Sequence, residues 1–200
     1  MADPSPPAAH LADWLARGAA GDEAACAALY AQFSPAVLRL ALGLLSDLQD
    51  AEEVAQDAFV YALRNLGRYD PARSAFSTWL YTITLSRCRN KRRRKWLALL
   101  PLERAANDRR RQPDHLIESV LERRGVRAQV WQALQALPPR LREPVALRYL
   151  LELRYKEIGA TLGCNPKTAE SRTRQGLQAL RVHLRALGVE PESELTEQWV

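Results

Sequence analysis

The sequence predicts an all-α fold: two small helical domains joined by a flexible linker, the second a helix-turn-helix domain. Three observations carry this. Apolar residues recur at helical spacing from Leu11 to about Trp96, and again from about His115 to Leu187. No stretch of β-alternation of useful length interrupts either region, and no internal repeat appears. Between them, Leu97 to Asp114 loses clear periodicity, includes ERAANDRRRQPD and breaks at Pro113-Asp114. The expected boundaries are therefore 11–96 for the first domain, 97–114 for the linker and 115–187 for the second domain. Residues 188–200 form an acidic, frayed tail.

The first domain follows a leader that ends near Pro4-Ser5-Pro6-Pro7 and reads as disordered. Turn signals fall at Gly18–Gly21, Ser34-Pro35, Ser46–Asp50 and Gly67–Ser74. In the helix from Asp50 to Leu63, Ala51, Val54, Ala58 and Tyr61 make an inward stripe. Glu53, Gln56, Asp57 and Val60 lie on the other side. On helix logic alone that acidic face reads first as an ordinary solvated face, with docking on a basic partner helix as the alternative. Asp70-Pro71 then begins a turn, and Phe76, Trp79 and Tyr81 follow in a helix capped near Ser74. Clustered aromatics are more often core than contact surface. Beside a basic helix they also serve to stack or pocket an unpaired base. Such a helix comes next, with seven cations from Arg87 to Lys95. On one helix they repel one another, and phosphates would neutralise them; a flexible basic arm is the plainer reading.

The second domain is most legible from Tyr155 to Arg181. Ile158 and Leu162 share one side of a short helix, which Gly163 stops. Asn165 caps the next helix, and Pro166 fits its first turn. Ala169, Thr173, Gly176 and Leu180 then fall on one face. The opposite face carries Lys167, Ser171, Arg174 and Gln178, flanked by Glu170, Arg172 and Gln175. A short helix, a tight turn and a longer polar helix make the layout that enters a DNA major groove. A surface helical hairpin with a solvated face shares the same pattern.

Composition agrees with a polyanionic partner. The 200 residues carry a net charge of +6, with a sequence pI near 9.5. Membrane surfaces are also polyanionic, but no apolar run approaches the roughly 20 residues that span a bilayer. The N-terminus lacks the basic start and apolar core of a signal peptide. The expectation is a cytoplasmic protein without membrane insertion. Cys26, Cys88 and Cys164 are odd in number and far apart, which points to buried or half-buried free thiols. His10, His115 and His183 are scattered, so the sequence offers no catalytic constellation, metal site or cofactor site.

Taken in order, these features resemble a bacterial RNA polymerase sigma factor of the extracytoplasmic-function group. DAEEVAQDAFVYAL is similar to the family's polymerase-binding helix. YDPARSAFSTWLYTITLSRCRNKRRRK is similar to the segment that melts and reads the −10 element. LPPRLREPVALRYLLELRYKEIGATLGCNPKTAESRTRQGLQALR is similar to the −35-reading domain. The resemblance spans about Leu11 to Arg185, and the chain has no room for the extra domains of larger members. It implies that Asp50, Glu53, Gln56, Asp57 and Val60 bind core polymerase. It implies −10 DNA contacts from Tyr69, Asp70, Arg73, Ser74, Phe76, Trp79, Ser86, Arg87 and Lys91. It implies −35 contacts from Lys167, Thr168, Ser171, Arg172 and Arg174. The implied partners are core RNA polymerase, promoter DNA and an anti-sigma factor. Ser86 departs from the Asn of many relatives and lacks the amide that reads adenine bidentately. Ala169, Thr173 and Gly176 are smaller or more polar than the usual inward residues, which implies either less firm docking or closer helix approach. Pro144 replaces an ordinary helix former and marks a helix start or a kink. The alternatives are a helix-turn-helix regulator that never enters polymerase, a nucleic-acid-processing enzyme and an anti-sigma-like interaction protein. An ordinary regulator needs neither DAEEVAQDAF nor WLY. The enzyme lacks a carboxylate–histidine cluster, and the basic run disfavours the last.

Overall fold

A computed structural model describes residues 8–99 and 126–189. The leader before Ala8, most of the expected linker, the stretch 115–125 and the tail from Glu190 lie outside the described residues. Among those described, eight α-helices and one 3-10 turn account for the regular structure, and the all-α expectation holds.

α1 (Ala8–Ala19) lays Leu11, Trp14 and Leu15 on the core and ends in a turn where Gly21 takes a φ of +92°. Asp22 caps α2 (Glu23–Leu45): its carboxylate accepts from the backbone N–H of Ala24 at 2.9 Å and of Ala25 at 3.2 Å. Arg17 pairs with the same carboxylate and holds it below the usual Asp range. The turn expected at Ser34-Pro35 does not form, because α2 runs straight through it. Phe33, Val37, Leu40, Ala41 and Leu44 are all buried around that point. The burial of this continuous face outweighs the one backbone hydrogen bond that an exposed proline removes. α2 is also long and apolar enough to cross a membrane, with a mean hydropathy of 1.4, more than its sequence suggested. Its apolar surface is used inside the fold, since it packs on α1, α3, α4 and the second domain.

Ser46, in the left-handed region, closes α2, and Asp47 caps α3 (Leu48–Arg64) by accepting from Asp50 N–H at 2.8 Å. Ala51, Val54 and Ala58 point inward as expected. Tyr61 does not: it is 39% exposed, and Phe59 and Ala62 take the buried positions. Ala62 lies four residues after Ala58, where the 3.6-residue period returns to the stripe. After the 3-10 turn (Leu66–Arg68), α4 runs from Phe76 to Leu99, so Leu97–Leu99 are helical rather than linker.

The second domain holds α5 (Val126–Ala136), α6 (Pro139–Leu150), α7 (Tyr155–Leu162) and α8 (Pro166–Ala186). Pro138 and Pro139 start α6, and Pro144 lies buried within it rather than at its start. Arg142, buried beside it, donates to the carbonyls of Leu134, Gln135 and Leu137 and so closes the end of α5. Gly163 (φ +68°) ends α7, and Asn165 accepts from Thr168 N–H at 2.7 Å to cap α8, as the sequence required. Ala169, Thr173, Gly176 and Leu180 are all buried.

The two domains close on each other. One continuous apolar cluster joins Leu40, Leu44 and Leu85 of the first to Ala146, Leu147, Ile158 and Ala169 of the second. α2 makes room at Gly43: a Cβ there would collide with Leu150 and stand 3.1 Å from Trp131. Gln135 donates to Gly43 O at 2.9 Å, and Thr82 to Thr161 O at 3.3 Å. Arg89 clasps Glu143 through two hydrogen bonds of 2.7 and 2.5 Å.

Candidate nucleic-acid and polymerase interfaces

α3 crosses α4 so that its acids meet the basic run. Lys91 Nζ lies 2.6 Å from Glu53 and 3.3 Å from Asp50, and Lys95 also pairs with Asp50. Asp50 is buried at 8% exposure, while Glu53 keeps 55% of its side chain in solvent. The hydrogen bond to Glu53 raises the Lys91 pKa, against burial that would lower it. Gln56, Asp57 and Val60 stay exposed. The acidic face thus divides: its first turn docks on a basic helix of the same domain, and its later turns remain open.

The loop before α4 is built from local hydrogen bonds. The Tyr69 hydroxyl donates to Ser74 O at 3.0 Å. Asp70 accepts from Ala72 N–H at 2.9 Å, an Asx-turn that fixes the bend. Asp70 and Arg73 are exposed, and Ser74 is half-buried. Phe76, at 1% exposure, is core: it packs edge-on against Phe33 and Tyr69, with ring centroids 5.2 and 5.5 Å apart. Trp79 is half-buried, 5.5 Å from the Tyr69 ring. The loop is therefore a rigid bend on an aromatic base. Tyr69 and Trp79 show part of their faces, and Phe76 supports them from below.

Along α4, Ser86 is exposed, and Arg87 lies 4.9 Å from the centre of the Tyr61 ring. The sequence missed what becomes of the other cations. Arg89 goes to Glu143, Lys91 and Lys95 go to α3, and Arg92 donates to Leu44 O at 3.3 Å. Protein groups neutralise much of the run, so mutual repulsion does not by itself require phosphates. Arg93 and Arg94 are exposed. Cys88, buried beside Arg89, Arg92 and Glu143, has its thiol pushed up to about 12 by burial. Cys26 and Cys164 are half-buried, and all three thiols are free, as the cysteine spacing indicated.

In the second domain, Lys167, Thr168, Ser171 and Arg172 line a cleft of about 390 Å³ along one edge of α8. Gln175 and Arg140 line it too, and the sequence had not singled out Arg140. Gln175 donates to the Ser171 hydroxyl at 3.2 Å. Arg174 lies away from the cleft and pairs with Glu170 at 3.0 Å. Among the described residues, no group of three or more His, Cys, Asp or Glu could hold a metal ion.

Residues 29–98 match the model of sigma-70 region 2, and residues 127–180 match that of sigma-70 region 4. SigE of Mycolicibacterium smegmatis, an ECF RNA polymerase sigma factor, is 34% identical over 83% of this chain; the chain spans 65% of that relative's length. The RNA polymerase sigma-H factor of Pseudomonas aeruginosa is 30% identical, with 84% of this chain and 90% of the relative covered. SigW of Bacillus subtilis, an ECF RNA polymerase sigma factor, is 30% identical, with 84% and 92% covered. Among solved structures, CnrH in complex with the cytosolic domain of CnrY is 25% identical, with 88% of this chain and 98% of that chain covered and a TM-score of 0.67. The sigma factor RpoE of Bartonella quintana, solved with the anti-sigma factor NepR, shares the fold with a TM-score of 0.59 at 20% identity, with 78% and 94% covered. The loop-bearing domain falls on region 2 and the helix-turn-helix domain on region 4, in that order, and full-length relatives match across both: the chain belongs to the extracytoplasmic-function group of RNA polymerase sigma factors.

Proposed function

We propose that this chain directs core RNA polymerase to promoters by reading a −35 element with α8 and capturing melted −10 DNA with the Tyr69–Trp79 segment and α4. The observation that carries the reading is the pairing of two different nucleic-acid surfaces on one chain. One is a fixed loop over half-exposed aromatics, followed on the same helix by Ser86, Arg87 and Lys91. Flat rings and cations in that order suit an extruded base and its backbone. The other is the cation-lined edge of α8, which suits a major groove. Lys167, Thr168, Ser171 and Arg172 work at that edge, while Arg174 reaches the flanking backbone from its pair with Glu170. Gln56, Asp57 and Val60 offer the open part of the polymerase-binding face. Asp50 shapes that face from below, and Glu53 shares its charge with Lys91.

The closed arrangement is a resting state in this reading. The two elements lie about two helical turns apart, near 70 Å at roughly 35 Å per turn. A compact body of this length has a radius of gyration of about 16 Å, hence a diameter near 43 Å. One closed chain cannot touch both elements, so the Arg89–Glu143 clasp and the Gly43 contact must part on the promoter. An anti-sigma factor is the partner proposed to hold the closed state, as CnrH was solved with the cytosolic domain of CnrY and RpoE with the anti-sigma factor NepR. Run-off transcription with purified core polymerase on a promoter library tests the whole assignment. Specific transcripts sharing two sequence elements are expected; core polymerase that gains no promoter preference refutes it.

A further inference from the structure

We infer that Arg140 grips a backbone phosphate beside the recognition helix, so that the −35 interface extends from α8 onto α6. This rests on the reading of α8 as the −35 helix. Arg140 belongs to the first turn of a different helix, yet it lines the same cleft as Lys167, Ser171 and Arg172. Gly176 brings it there. A Cβ on Gly176 would stand 2.9 Å from Leu141 O and 2.5 Å from Val145 Cγ2, so the missing side chain lets the start of α6 lie directly on α8. Leu141 turns inward at 8% exposure, which leaves its neighbour Arg140 facing solvent.

Among the described residues, the fold does not use this arginine. Arg142 already closes the α5–α6 corner, and Arg148 donates to Leu153 O. Arg140 makes no hydrogen bond or ion pair with any described residue. It joins Lys167 and Arg172 in a cleft with no described carboxylate on its walls. Three cations sharing one cleft repel one another, and an anion there relieves the repulsion. Position selects phosphate over base. A helix seated in the major groove presents base readers along its own face, whereas residues on flanking helices meet the strand backbone.

The test uses the full chain assembled with core polymerase and a −35-containing duplex recovered from the promoter library. Binding is measured against salt for the parent, Arg140→Gln, Arg140→Lys and Lys167→Gln. Loss of one phosphate contact should reduce the slope of log affinity against log salt by about 0.9. Between 50 and 200 mM salt, Arg140→Gln should then lose roughly threefold less affinity than the parent. It should weaken every −35 variant by one common factor, and Arg140→Lys should restore the slope. An unchanged slope in Arg140→Gln overturns the assignment, as does relaxed preference at a single base pair. Failure of Arg140→Lys to restore a lost slope overturns it too, because charge would not be the cause. If Lys167→Gln loses slope while Arg140→Gln keeps it, Arg140 alone is misassigned and α8 stands. If the parent shows no −35-dependent binding, the reading of α8 and the role of Arg140 fall together.

Discussion

Removing either partner of the Arg89–Glu143 clasp should open the chain, but the two substitutions should differ in size and in consequence. Glu143 keeps only 9% of its side chain in solvent, whereas Arg89 keeps 55%. Arg89→Ala strands a buried carboxylate; breaking a buried pair this way costs about 3–5 kcal/mol. Nearby Arg92 offsets part of the loss, which places the expectation near 3 kcal/mol. Glu143→Ala returns a half-exposed guanidinium to water, at about 1 kcal/mol. The chain can escape either penalty by separating its domains, so these values set how far the closed population shifts: on the order of 150-fold against 5-fold. Small-angle scattering should show the greater expansion for Arg89→Ala. Binding to single-stranded DNA should rank the other way, because only Glu143→Ala leaves the freed cation on α4. The reasoning fails if neither variant expands, or if the variant that expands more also binds single strands more tightly.

Three further outcomes are expected. Asn165→Ala removes the cap of α8 and should cost about 1 kcal/mol in thermal unfolding, with weaker −35 binding. Cys88 should resist thiol reagents near pH 8 while Cys26 and Cys164 react. Because burial raises its folded pKa to about 12, its stabilising contribution is full below the unfolded value near 8.5 and is lost as pH rises beyond it, by at most about 1.4 kcal/mol per pH unit. Asp70→Ala with Arg73→Ala removes the Asx-turn hydrogen bond to Ala72 N–H at an exposed loop, so stability should fall by about 1 kcal/mol while the fold is kept. Promoter opening should slow, a premelted −10 bubble should restore part of the loss, and equal rates on both templates count against the loop.

The sequence was most legible where a rule is local. The αL glycine at Gly163, the Asn165 cap and the four inward residues of α8 depend on neighbours within one or two turns, and all appear in the fold. It was less legible where tertiary burial decides. Ser34-Pro35 reads as a turn, yet the buried face of α2 carries the helix through it. Tyr61 reads as core, yet the stripe drifts to Phe59 and Ala62. Neither the closure of the domains on Gly43 nor the approach of Arg140 to α8 has a local signature. Both arise where a glycine lets another helix come close.

The basic run shows why charge alone misleads. Seven cations in one helix read as a phosphate surface or a loose arm, because the sequence does not reveal which acids lie opposite. In the fold, Asp50, Glu53 and Glu143 take Lys91, Lys95 and Arg89. These pairs differ in what DNA must displace. The Lys91–Asp50–Glu53 group lies within one domain and can persist on the promoter, holding α3 against α4 where polymerase would dock. The Arg89–Glu143 pair joins two domains that, in the proposed function, separate to reach elements about 70 Å apart. In the proposed function, α4 therefore reaches DNA with fewer free cations than its sequence offers, and it gains Arg89 when the chain opens. In the proposed function, single-strand affinity and domain separation are linked through Arg89: opening that leaves Arg89 on α4 strengthens −10 capture, and captured −10 DNA favours the open chain to the same extent.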